Sequence, residues 1–116
     1  IGDLITVNFG TGVVFYALNG SFKIMSVTEV SRNWNEAQTW CSNYGTDWYL
    51  LNEDDFRLYR QNLLALNDTL SKMGFPTIYG QYWTSTNKTF IEIKTGQTNG
   101  YGSYNDKHDV RAFYEF

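Results

Sequence analysis

The chain contains one cysteine, one proline and one histidine in 116 residues. A single cysteine, Cys41, cannot form an internal disulfide, so the fold needs no oxidation and the compartment cannot be read from it. A single histidine, His108, has no second soft ligand, which argues against a zinc centre. Asp106 and Asp109 flank it, but adjacency in sequence is not the geometry of a catalytic triad. Positive charge is also scarce: nine Lys and Arg stand against twelve Asp and Glu, for a net charge of -3. The cations are scattered, whereas nucleic acids and anionic membranes attract clustered ones, so neither partner is expected. No apolar run approaches the ~20 residues that cross a bilayer, so no membrane insertion by this domain is expected. No repeat, linker or low-complexity stretch interrupts the chain, and its length suits one domain over residues 1–116. A first residue of Ile rather than Met reads as a mature or excised domain of a larger protein.

Aromatic residues are abundant, at 18% of the chain with four tryptophans. They fall in an ordered series of landmarks. Trp34-Asn35-Glu36-Ala37, Trp40-Cys41 and Gly45 come first, then Trp48-Tyr49-Leu50-Leu51 and Leu58-Tyr59. Tyr82-Trp83-Thr84-Ser85-Thr86 and Val110-Arg111-Ala112-Phe113 close it. Large rings bury much apolar surface and constrain their neighbours, so all four indoles are expected in the core, Trp48 with the weakest claim.

Local signals divide the chain into strands, helices and strands. Residues 11–16 and 22–27 read as strands, joined by Asn19-Gly20, a pair suited to a turn with positive φ at both central positions. Asn33 and Glu36 form a capping box for an amphipathic helix over residues 34–44, with Gly45 as a left-handed stop. Asn52 or Glu53 opens a second helix, and Glu53, Asp54 and Asp55 favour its start through the helix dipole. Phe56, Tyr59, Leu63, Leu66, Leu70 and Met73 give that helix its apolar stripe; Asn67-Asp68-Thr69 is a candidate break, and Gly74 and Pro76 end it. Residues 82–85, 89–94 and 110–114 read as strands, with Asn87-Lys88 as a hairpin tip. The pattern predicts an α+β domain: two helices packed on a twisted, mainly antiparallel sheet that joins both termini.

The order Gly-Val-Val-Phe-Tyr, Trp-x-Glu-Ala, Gly-x-x-Trp-x-Leu, Tyr-Trp-Thr-Ser-Thr and Val-Arg-Ala-Phe resembles bacterial surface domains of C-type-lectin-like fold. These are related to formylglycine-generating enzymes and to the variable proteins of diversity-generating retroelements. The likeness runs from about Gly12 to Phe116. It departs at Trp48-Tyr49-Leu50-Leu51-Asn52, where Trp-Arg-Leu-Pro-Thr is usual, and at the close, where a second Val-Arg pair is replaced by Phe113-Tyr114-Glu115-Phe116. The resemblance implies a compact scaffold at a bacterial cell surface, in a lipoprotein, pilus component or phage fibre, whose late loops carry the binding residues.

Oxidase chemistry of the formylglycine-generating kind uses late cysteines, which are missing, so no enzyme and no cofactor are expected. Cys41 falls on the apolar face of the first helix and reads as a buried structural thiol. His108 reads as an exposed, partly protonated loop residue. No metal site is assigned; Asn105, Asp106 and Asp109 carry the hard oxygens calcium prefers, but the Glu-Pro-Asn and Trp-Asn-Asp signatures of calcium-dependent lectins are absent. Arg111, inside an apolar strand, needs a buried partner, with Glu36 or Asp47 as candidates. Three glycosylation-type triplets begin at Asn19, Asn67 and Asn87 and read as chance.

The remaining candidate is the Gly-, Asn- and Tyr-rich segment between Thr95 and Asp109. Rigid amphipathic tyrosines beside adaptable amides are the mixture found in antibody paratopes. Asn99, Tyr101, Tyr104, Asn105 and Asp106, with Asn87 and Lys88, are the expected ligand-binding residues. A solvated loop is the competing reading. The expected function is recognition or adhesion, with a glycan or a protein as ligand. The alternatives are a capping or assembly domain of a larger surface or fimbrial protein, and a degenerate formylglycine-type enzyme.

Overall fold

A computed structural model describes residues 2–86, 89–93, 98–99 and 106–115, and at 54, 59, 98 and 99 the backbone alone. The architecture is α+β and mainly antiparallel. Among the described residues there are two sheets of five strands each, instead of one. The first contains β1 (Leu4–Val7), β2 (Gly10–Leu18), β3 (Ser21–Ser26), β10 (Ala112–Glu115) and β5 (Tyr49–Leu50), in that spatial order. The second contains β4 (Val30–Arg32), β9 (His108–Val110), β6 (Gln81–Trp83), β7 (Phe90–Glu92) and β8 (Thr98–Asn99). The earliest and latest strands share the first sheet, although β10 pairs with β3 and β5 and not with β1.

The expected strand over 110–114 is divided at Arg111. Val110 pairs with Val30 in the second sheet, and Ala112 pairs with Leu50 in the first. One residue therefore carries the chain from sheet to sheet. Among the described residues, β6 and β9 form the one parallel pair, through Tyr82 and Asp109.

Helix α1 spans Trp34–Tyr44, as its pattern predicts. The Asn33 side chain accepts from the Glu36 N–H at 2.9 Å, and Glu36 Oε1 lies 3.4 Å from the Asn33 N–H, completing the box. Gly45 ends the helix for a different reason than expected. Its φ is -179°, which is extended and open to any residue. The requirement is space: a Cβ there would lie 2.3 Å from the Asn8 carbonyl oxygen and 2.6 Å from the Trp48 ring.

The second helical stretch is a 3-10 turn (Glu53–Asp55), α2 (Phe56–Gln61) and α3 (Leu63–Lys72). The break falls at Asn62 and not at Asn67-Asp68-Thr69. The Asn62 amide donates to the carbonyls of Phe15 and Leu58, fixing the joint against β2. Asn67 is engaged at both ends of its amide by the Ile78 backbone, which gives it a structural role. The end of α3 is a Schellman arrangement: Gly74 has φ 78°, its N–H reaches the Ser71 carbonyl, and the Phe75 N–H reaches that of Leu70. Asp55 does more than favour a helix start. It is buried and pairs with Lys23 at 2.5 Å.

The first sheet is covered on both faces, which explains the unbroken apolar run in β2. Val13, Phe15, Met25 and Phe113 point into a cluster with Leu66 and Leu70 of α3. Their sequence neighbours Val14, Ile24 and Ala112 point into another with Ala37 and Cys41 of α1, Trp48 and Trp83. The second sheet supplies both clusters, since Tyr82 and Ile91 join the former and Trp83 and Val110 the latter.

Candidate functional site

Most of the expected binding residues lie outside the described residues: Asn87, Lys88, Tyr101, Tyr104 and Asn105. Asn99 lies in β8 with its backbone opposite Phe90. Asp106 is exposed two residues before β9. The described residues that flank this region in the chain are β6, β7 and β9.

At their centre is Trp83, fully buried, with its indole N–H donated to the Arg32 carbonyl at 2.8 Å. Phe90 meets Trp83 edge to face at 5.8 Å between centroids. His108 stacks on Phe90 at 4.0 Å and meets Trp83 edge to face at 4.5 Å. His108 is thus a half-buried strand residue, not the exposed loop residue its polar neighbours suggest. Burial lowers its pKa below the ordinary value, against a smaller upward pull from Asp106. Its Nε2 is buried and makes no hydrogen bond among the described residues.

The chain leaving β6 is wired at its root. The Thr84 N–H donates to the Thr89 carbonyl at 2.9 Å, and the Thr89 N–H to that of Thr86 at 3.0 Å. The Thr84 hydroxyl lies 3.1 Å from both Glu53 Oε1 and the Thr89 carbonyl, and it accepts from the Thr86 N–H at 3.2 Å. The Ser85 N–H reaches the Leu51 carbonyl, and Trp34 donates its indole N–H to the Thr84 carbonyl. Asn99 leaves β8 at the same end of the sheet, beside Phe90. Thr84 and Asn99 therefore both lie next in the chain or sheet to members of the Trp83–Phe90–His108 ring cluster.

Beside this ring cluster is a buried polar centre. Arg111 is 1% exposed. Its partner is Glu29, not Glu36 or Asp47, through Nη2 at 2.6 Å and Nε at 3.0 Å to the same carboxylate oxygen. Nη1 donates to the Ser26 carbonyl and Nη2 also to that of Pro76. Tyr82 donates its hydroxyl proton to Glu29 at 2.8 Å and accepts from the Tyr79 N–H. The Ser26 hydroxyl accepts from the Ala112 N–H. Asp109 lies nearby in β9, its Oδ2 2.8 Å from where a Cβ on Gly80 would stand. Burial and the Glu29 charge push its carboxyl up to about 6, against the opposing pull of Arg111. This centre joins the sheets: Arg111 sits at the crossing, and Glu29 precedes β4. The apolar neighbours of Arg111 signalled a buried cation; nothing in the sequence around Glu29 marked it as the partner.

Cys41 is buried with its thiol facing the Arg111 carbonyl at 3.7 Å, and burial pushes its pKa up to about 12. Trp48 is 3% exposed and donates to the Val7 carbonyl. Trp34 and Trp40 are only partly buried, at the edge of the α1 cluster. Of the three carboxylate and amide residues considered for calcium, Asp109 belongs to β9, Asp106 precedes it, and Asn105 lies outside the described residues. Among the described residues, no group of three or more His, Cys, Asp or Glu side chains converges, and no helix is long and apolar enough to cross a membrane. Searches against family models, curated proteins and solved structures give no match to the chain.

Proposed function

We propose that this is a non-catalytic recognition or adhesion domain of a bacterial cell-surface protein, with a C-type-lectin-like scaffold. Its ligand, a glycan or a protein, is held by the late polar residues Asn87, Lys88, Asn99, Tyr101, Tyr104, Asn105 and Asp106. The observation that carries the reading is the wired root at Thr84–Thr89 beside the Trp83–Phe90–His108 stack. A segment anchored on a rigid platform loses less conformational freedom on binding, so more of its contact energy appears as affinity. The composition of the segment, tyrosine with amides, serine and glycine, suits adaptable recognition more than chemistry.

The test is a combined glycan and protein array with wild type and a Tyr101→Ala/Tyr104→Ala variant. The reading expects a specific hit that the variant loses while keeping its circular dichroism spectrum and unfolding midpoint. No specific hit at all would favour the alternative, a capping or assembly domain without a ligand of its own.

A further inference from the structure

Trp34, Trp48 and Trp83 donate their indole N–H groups to carbonyls inside the domain. Trp40 differs: it is half-buried, and its N–H makes no hydrogen bond among the described residues and is not enclosed. Its ring is nevertheless held in place. Trp40 is the outer member of a row of four rings, with Tyr44 at 5.2 Å between centroids, then Tyr44 to Trp48 at 4.8 Å and Trp48 to Tyr114 at 5.7 Å. The inner rings are tied by the Tyr44 hydroxyl to the Thr11 carbonyl and by the Trp48 indole to that of Val7. Trp40 therefore presents a fixed aromatic surface with an open polar edge, which loses little freedom on contact.

The ring borders an open groove of about 400 Å³ along the outer face of α1, lined also by Arg32, Asn35, Glu36, Thr39 and Asn43. Asn35, Thr39 and Asn43 recur every four residues and form one line on the helix. All three are exposed and all are weak helix formers, at positions where alanine, glutamate or lysine would serve the helix better. The Asn35 and Asn43 amides make no hydrogen bond among the described residues, so the fold does not account for them. α1 carries no lysine or arginine, so ion pairs along the helix do not account for this face either.

The chemistry of the groove suits a sugar. A pyranose has an apolar face of C–H groups, which the electron-rich face of an indole attracts. Its hydroxyls both donate and accept, as do the amides of Asn35 and Asn43; the Trp40 N–H and Arg32 add donors, and Glu36 adds an acceptor. Arg32 and Glu36 contribute one charge of each sign, so the groove is neutral overall. A phosphate or an acidic peptide would call for surplus cations. Asn35 and Asn43 stand about 12 Å apart along the helix, more than one sugar ring covers, so the groove fits a chain of sugars.

We propose that this groove binds a neutral oligosaccharide, with one pyranose stacked on Trp40 and flanking hydroxyls bonded to Asn35 and Asn43. The site uses none of the late polar residues and stands or falls separately from the reading above.

Proton–nitrogen NMR of the whole chain tests this with cellotetraose and chitotriose, each at up to about 20 mM, enough to saturate a contact of millimolar Kd. The Trp40 indole N–H signal should shift and saturate with at least one of them, while those of Trp34, Trp48 and Trp83 stay. An Asn35→Ala/Asn43→Ala variant should bind about tenfold more weakly, having lost two hydrogen-bonding groups. Its unfolding midpoint should hold or rise, because alanine favours the helix. Trp40→Phe, which keeps a ring beside Tyr44 but has no N–H, should also bind more weakly. A Trp40 signal that neither sugar moves overturns the proposal, as does a double variant that binds like wild type. So does a Trp40 signal moved by tetragalacturonate and not by the neutral sugars, or sugar-induced shifts confined to residues 87–106.

Discussion

Arg111 grips a single oxygen of Glu29, with Nη2 at 2.6 Å and Nε at 3.0 Å. The same guanidinium satisfies the carbonyls of Ser26 and Pro76, so one side chain ties β3, the chain before β4 and the segment before β6 to the sheet crossing. Replacing Arg111 with Met leaves Glu29 and both carbonyls without this donor. Urea unfolding should show a loss of about 3–5 kcal/mol. Adding Glu29→Gln should recover part of it, because the uncompensated charge is then gone. An unchanged midpoint in Arg111→Met would contradict a structural role for the pair.

Gly45→Ala tests whether the end of α1 is set by space. An alanine accepts the observed φ, but its Cβ has no room between the Asn8 carbonyl and the Trp48 ring. The expected cost is about 2–3 kcal/mol, typical of overpacking. Because Asn8 is displaced directly, the β1–β2 turn should shift too, visible in the amide resonances of Asn8 and Phe9.

Asp109 sets a pH dependence of definite sign. Unfolded, it ionises near the ordinary carboxylate value; folded, it keeps its proton up to about pH 6. Its contribution to stability is fully present below about pH 4 and is lost as pH rises through 6. Asp109→Asn should therefore be more stable than wild type at pH 7.5, by up to about 1 kcal/mol once screening of this part-buried group is allowed for. The difference should vanish near pH 4. Urea midpoints for both proteins across pH 4–7.5 measure it, and a constant offset would refute the assignment.

Cys41 should be inert until the domain opens. With its pKa pushed up to about 12, it carries roughly three orders of magnitude less thiolate at pH 8 than its ordinary value of 9 allows, and it is buried as well. Labelling by a thiol reagent should follow global unfolding and accelerate with urea. Rapid labelling of the folded domain would show the α1 cluster to be loose.

Local chemistry was readable where it acts within a few residues. The Asn33–Glu36 box, the Asn19-Gly20 turn and the stop at Gly74 each rest on neighbours, and each forms. What escaped depends on distant partners. Asn62 breaks a helix because the Phe15 carbonyl waits across the core, and Gly45 is required by Asn8 and Trp48. His108 looked exposed among polar neighbours, yet Phe90 and Trp83 capture its ring. The two-sheet division hides inside a single apolar run because Arg111 changes sheets without any turn residue. Of the candidate site, the sequence marks the polar composition, while the ring cluster next to it in the chain comes from pairings no local pattern encodes.

The single-residue step between β9 and β10 leaves no slack. An added residue there would throw one of the two sheets out of register and turn its inward side chains outward. Changes of length are instead tolerated best between fixed ends, and the stretch from Asn99 to Asp106 has such ends, one in β8 and one just ahead of β9. Insertions in that interval should therefore cost less stability than an insertion at Arg111.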